Sequence, residues 1–256
     1  MAPTRESVSL ETDGNIATIR LDRPELRNAL SVGLVDELHA AVREIESSEI
    51  RAAVLCGAGG TFCSGGDLEQ SPDEFVEEVR RTNEVIVRMR RSHLPFVAAV
   101  EGAAVGGGFE LALACDLRVA GRDAEMGLPE VTLGMFPCAG GTRLLAREIG
   151  ASRARQLVLR GGTIGVETAE SWGLLEAIVD PEDVIGRAEG IASDLASNSP
   201  VGMEAAKRSI ADAFDRPLSD GLDRDVELSR EVAHSADFSE GTDAFLSGRE
   251  PDFPGR

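Results

Sequence analysis

The chain has 256 residues, 42% of them hydrophobic, enough to bury one substantial core, and its 45 acids against 26 basic residues give a net charge of −19. That balance argues against nucleic acid or an anionic membrane as partner, and no apolar run approaches the ~20 residues that cross a bilayer. Lys207 is the only lysine; an acid-rich, lysine-poor surface suits a protein kept soluble at high salt, so a halophilic source is expected.

The opening stretch MAPTRESVSLETDGN is polar throughout and carries no export-signal pattern. Next, NIATIRLD (15–22) alternates as a strand. SVGLVDELHAAVREIE (31–46) has apolar residues at 34, 35, 38, 41, 42 and 45, a helical stripe opened by a serine cap. RAAVLCGAGG (51–60) reads as a strand running into glycines, and residues 71–92 return to helix. LPFVAAVEGAAVGGG (94–108) reads as a buried strand that ends in glycines, followed by a helix holding Glu110 and a strand near LRVAG. Strand, glycine loop and helix recur without a fixed period, which points to an α/β class. From about residue 181 strand signals fade, and three helical stretches run to about Leu246. A boundary near residue 200 divides an α/β core, 1–199, from a helical region, 200–256, that packs on its own core or on a neighbouring subunit.

Cysteines at 56, 63, 115 and 138 form no CxxC pair or Cys/His cluster, which disfavours a disulfide framework or zinc site and fits a reducing cytoplasm. His39, His93 and His234 have no evident partners, so a Ser-His-Asp hydrolase is not favoured. Two glycine clusters, TFCSGGDL (61–68) and VGGGFEL (105–111), follow strands. Such clusters make tight turns, or they bare backbone N–H groups to a ligand. Neither GxGxxG nor GxxxxGK[ST] is present, so a phosphate loop is poorly supported. Two loops that each offer one N–H would suit a grip on a single oxygen atom, and plain turns remain the alternative. Glu110, in an apolar helix, shares a stripe with Leu113, Ala114 and Leu117 and is either a paired structural acid or a carboxyl group held away from water.

Five stretches in order, RPELRNAL (23–30), FCSGGDL (62–68), PFVAAVEGAAVGGGFELALACD (95–116), GLPEVTLGMFPCAGGTRLL (127–145) and SEGTDAFLSGREPDF (239–253), make the chain resemble the crotonase superfamily, the enoyl-CoA hydratases and isomerases, along nearly its whole length. The resemblance implies a crotonase-like spiral of repeated ββα units with a C-terminal helical trimerisation region, and a homotrimer or dimer of trimers. It implies an acyl-CoA thioester as substrate, with no cofactor beyond it and no metal. By the same resemblance the amides of Gly66 and Gly107 form an oxyanion hole, and Glu110 and Glu130 are the catalytic pair. Glu130 would act as base toward water, and Glu110 would orient that water and share its protons. The substrate cleft is expected to draw on Arg23, Arg27, Ala29, Ser64, Gly65, Asp67, Leu68, Gly106, Pro129, Gly134 and Cys138. Phe245 and Arg249 would reach it across a subunit interface.

The implied reaction is hydration of a trans-2-enoyl-CoA to a 3-hydroxyacyl-CoA in fatty acid β-oxidation chemistry; an isomerase shifting a Δ3 double bond to Δ2, or a non-catalytic acyl-CoA binder, are the rivals. Three positions depart from the common pattern. Cys138 stands where a glycine is usual, raising the question of a positive φ or a nucleophilic thiol; Glu101 replaces a polar amide; and Leu128 is expected to make the pocket more apolar.

Overall fold

The computed structural model describes residues 6–256. Nine strands form two sheets among these residues. They are β1 (Val8–Asp13), β2 (Ile16–Leu21), β3 (Ala52–Gly57), β4 (Phe96–Val100), β5 (Ala103–Val105), β6 (Leu117–Gly121), β7 (Glu125–Gly127), β8 (Thr163–Gly165) and β9 (Ala177–Val179). The larger sheet runs β1-β2-β3-β4-β6-β9 and the smaller β5-β7-β8. Only the β1–β2 hairpin is antiparallel in the larger sheet; every later pairing there is parallel.

Strands β2, β3, β4 and β6 each lead through a short segment paired in or beside the second sheet and then into a helix. Isolated bridges from Leu30 to Gly66 and from Cys63 to Ala104 extend the smaller sheet's pattern back to the earlier turns. The helices that close the turns are α1 (Val32–Glu46), α2 (Pro72–Arg91), α3 (Gly107–Ala114) and α4 (Gly141–Arg160), the last broken at Gly150. This is the expected spiral of ββα units. Ser31 and Ser71 cap α1 and α2 through their hydroxyls, and Glu74 completes a capping box at Ser71.

Strands β3 and β4 are buried at every residue, which is why they read as unbroken apolar runs. One face of β3, with Ala53 and Leu55, joins the main core under α1, α2 and α3. The other, with Ala52, Val54 and Cys56, packs on Val184, Ala188, Ile191 and Ala192 of α6 (Val184–Ala196), which follows α5 (Val166–Ser171).

Two sequence readings need correction, and the opening stretch holds a strand not read from the sequence. The run 94–108 is two strands in different sheets, because the chain turns at Gly102, whose φ is +54 and where a Cβ would lie 2.4 Å from the Gly60 carbonyl oxygen. The polar opening stretch contains β1, half of whose residues face solvent at the sheet edge. The helix holding Glu110 ends at Ala114, so Leu117 lies in β6 and is no part of its stripe.

The final helices are α7 (Pro200–Asp212), α8 (Leu218–Ala233) and α9 (Ala236–Ser247). Lys207 ties α7 to the core: its ammonium donates to the Leu94 carbonyl and to Asp116, both at 2.6 Å. The Arg51 guanidinium likewise donates to the Phe253 carbonyl at 2.7 Å. The region thus rests on its own core, while Leu218, Leu222 and Val226 on α8 and Phe238, Phe245 and Leu246 on α9 are exposed.

Candidate active site

The site is assembled by stitching three loops together. In the first, Arg27 and Asn28 have φ of 53 and 56, a conformation Asn tolerates better than most residues. The buried Asn28 amide donates to the carbonyls of Ala58 and Thr61 and accepts from the Arg23 amide, fixing this turn against the glycine loop after β3. Ser64 N–H then donates to the Arg27 carbonyl, Leu30 N–H to the Gly65 carbonyl and Asp67 N–H to the Leu30 carbonyl. Cys63 and the segment at Ala103–Val105 exchange two further backbone bonds of 3.0 Å each, so the second loop is sewn to the third.

These bonds bring the amides of Gly66 and Gly107 side by side: a Cβ on Gly107 would lie 3.8 Å from the Gly66 nitrogen. Neither N–H has a hydrogen-bond acceptor among the described residues. Gly107 opens α3, so its amide also lies at the positive end of that helix.

The two expected acids flank the glycines. Glu130, first residue of a short 3-10 helix after Pro129, sets a carboxyl oxygen 3.3 Å from the Cβ position of Gly106. Its other oxygen is buried without a hydrogen-bond partner. Glu110 is 3% exposed and accepts the Gly141 amide, at the start of α4, at 2.8 Å. Burial pushes the Glu110 carboxyl up to about 8, against the Gly141 amide and helped by the charge of Glu130. Glu130 is raised too, by burial.

A raised carboxyl pKa has a stability consequence of definite sign. Between about 4.5 and about 8 the folded chain keeps a proton on Glu110 that the unfolded chain releases, so this group's contribution falls as pH rises through that window. Glu110→Gln should therefore raise Tm at pH 8 by ~5 °C with a smaller gain at pH 5, as thermal melts at the two pH values would show. Equal shifts at both would contradict the assignment.

A cleft of about 90 Å³ joins these groups. Of the expected residues, Ser64, Gly65, Gly66, Leu68, Gly106, Gly107, Glu110, Pro129, Glu130 and Cys138 line it. Arg23, Arg27, Ala29, Asp67 and Gly134 sit outside its lining. Arg23 directs one guanidinium nitrogen to the Ala29 carbonyl and the Ser31 hydroxyl, whereas Arg27 is exposed. Gly134, at φ 78, closes the short helix begun by Glu130. Phe245 is exposed on α9, and Arg249 is bound to Glu240.

Two of the three departures, Cys138 and Leu128, find an account in the structure. Cys138 does not need a positive φ, since Arg27 and Asn28 are the only described non-glycine residues there. Burial and the neighbouring Glu110 push its thiol up to about 11, which leaves little thiolate near neutral pH. Leu128 is fully buried in the main core and does not face the cleft. Nothing in the structure explains the choice of Glu at position 101.

The sequence reading missed Asn28, and it missed the wall of the cleft formed by Phe75, Glu78 and Val79 of α2. A signal for Glu78 was present: it stands at the head of the buried stripe Thr82, Val85 and Met89, at helical spacing. Among the described residues, no group of three His, Cys, Asp or Glu is arranged to hold a metal ion.

Residues 11–256 match the model of the family described as enoyl-CoA hydratase/isomerase. The chain belongs to this family. It is 37% identical over 247 residues to the 2,3-dehydroadipyl-CoA hydratase of Escherichia coli K12, covering 94% of this chain and 96% of that one. It is 33% identical over 264 residues to the 1,2-epoxyphenylacetyl-CoA isomerase of the same organism, covering 98% and 99%. The crystal structure of an enoyl-CoA hydratase from Bacillus anthracis superposes with a TM-score of 0.94 at 33% identity, over 98% of this chain and all of that one. The family member thus carries the crotonase fold with a C-terminal helical region.

Proposed function

We propose that this family member hydrates trans-2-enoyl-CoA thioesters to 3-hydroxyacyl-CoA. The observation that carries the reading is the buried Glu110 carboxyl and the half-buried Glu130, one of whose oxygens is buried, set against the glycine run whose Gly107 amide lies beside that of Gly66. The two N–H groups would hold the thioester oxygen as it becomes an enolate oxygen. Glu130 would take a proton from water as the water attacks the β-carbon. Glu110 would orient that water and share the proton delivered to the α-carbon. The two acids interact, so their titrations belong to the pair if the coupling exceeds about one pK unit. No cofactor beyond the thioester is needed for these steps.

The test is loss of the conjugated enoyl absorbance when the protein meets crotonyl-CoA in water. Bleaching with formation of 3-hydroxybutyryl-CoA supports hydration. No bleaching, together with conversion of a 3-enoyl-CoA to its 2-enoyl isomer, would favour the isomerase reading. Binding with neither reaction would leave a non-catalytic acyl-CoA carrier.

Arg27, exposed on the turn beside the cleft, is proposed to receive a CoA phosphate despite the chain's net charge of −19. Arg27→Ala should weaken CoA binding several-fold at low salt, and less at 0.5 M salt as screening removes the contact; calorimetric titration at two salt concentrations checks this. The exposed apolar residues of α8 and α9 support a homotrimer or a dimer of trimers. A cytoplasmic setting agrees with the free cysteines at 56, 63, 115 and 138.

A further inference from the structure

The cleft contains a third carboxyl group that the hydration steps do not use. Glu78 projects from α2 between the apolar side chains Phe75 and Val79 and is 3% exposed. Its Oε1 accepts the Thr82 hydroxyl at 2.7 Å. Its Oε2 is turned to Gly66, 3.2 Å from where a Cβ would stand. Gln70 Nε2 lies 4.0 Å from the same point, buried and without a hydrogen-bond partner. The amide is near enough to favour the charged form of Glu78 a little, yet burial prevails and the carboxyl is raised. An acid without a cation and an unpaired amide are costly to bury for structure alone.

We propose that Glu78 and Gln70 form a polar subsite for an uncharged oxygen atom, a hydroxyl or carbonyl, carried on the acyl chain beyond the double bond. The proposal rests on the reading of the cleft as a thioester site. Gln70 can donate to such an oxygen, and a protonated Glu78 can do so as well. A hydroxyl can also donate back to the Glu78 carboxyl. An anionic group fits poorly, because Glu78, Glu110 and Glu130 all line the same space.

Unreactive saturated thioesters separate this proposal from the chemistry. Hexanoyl-CoA would be compared by calorimetry with its 4-, 5- and 6-hydroxy forms and with adipoyl-CoA. At least one hydroxylated chain should bind about tenfold tighter than hexanoyl-CoA, equivalent to ~1.4 kcal/mol. Glu78→Leu should abolish that ratio and Glu78→Gln should keep most of it. Gln70→Leu should reduce it, and it carries the same test if Glu78→Leu does not fold. No preference for any hydroxylated chain, a preference that survives Glu78→Leu, or tighter binding of adipoyl-CoA than of every hydroxylated chain would overturn the proposal. Hydroxyl preference without crotonyl-CoA turnover would sink the hydratase reading and leave the subsite standing. Turnover without the preference would do the reverse.

Discussion

Glu130→Gln and Glu110→Gln should each lower the rate of crotonyl-CoA hydration by about 100-fold or more, with cooperative melting retained. The amide is nearly isosteric with the carboxyl group but neither takes nor delivers a proton. At Glu130 the unpartnered buried oxygen would become a group unable to accept a proton from attacking water. At Glu110 an amide oxygen can still accept the Gly141 N–H, so the start of α4 should stay in place while proton sharing stops. The Glu110 variant has a second signature. It should be the more stable protein at pH 8, since the charged carboxylate is what burial penalises. An enzyme that loses turnover while gaining stability separates a working acid from a structural one. Stopped assays with both variants, beside thermal melts, would check this; near-wild-type rates in both would remove the mechanism.

Gly108→Ala should cost about 3 kcal/mol or more and lower Tm by ~10 °C. Alanine is normally the better helix residue, by about 1 kcal/mol over glycine. Here the added Cβ would stand 2.2 Å from the Cys63 carbonyl oxygen and 2.8 Å from its carbonyl carbon, atoms of the backbone that cannot rotate away. The contact holds α3 against the FCSGGD loop, so relief of the clash would part the Gly66 and Gly107 amides proposed to hold one oxygen. Gly190→Ala, at an exposed position of α6 with nothing within 4 Å of the new atom, should instead stabilise slightly. Denaturant unfolding of the pair would show opposite signs; a mild effect at position 108 would mean that the loop and helix can separate freely.

The parallel strands and long amphipathic helices were legible in sequence because burial dictates their residues directly. Strand β3 is apolar throughout, and α1 buries the residues of its periodic stripe. The short strands of the second sheet were not. Strands β5, β7 and β8 have three residues each, too few for alternation to declare itself, and their pairing depends on glycine turns such as Gly102. Glu110 stood out as an acid in an apolar run, but nothing in the spacing of positions 110 and 130 placed the two acids near the same glycines. That required the family resemblance. The stripe that Glu78 shares with Thr82, Val85 and Met89 marked it as inward-facing, but its neighbours Glu74 and Glu77, bound to Ser71, Arg80 and Arg81, made it easy to read as one more acid in a charged helix.

The tether made by Lys207 has a chemical side. Activated thioesters transfer their acyl groups to free amines, and a protein that lives among them is exposed to slow self-modification. Here the sole lysine has its nitrogen engaged by a carboxylate and a carbonyl, which keeps it from approaching an acyl group, and the arginines carry guanidinium groups that stay protonated. The chain therefore presents acyl donors with no lysine amine outside that grip.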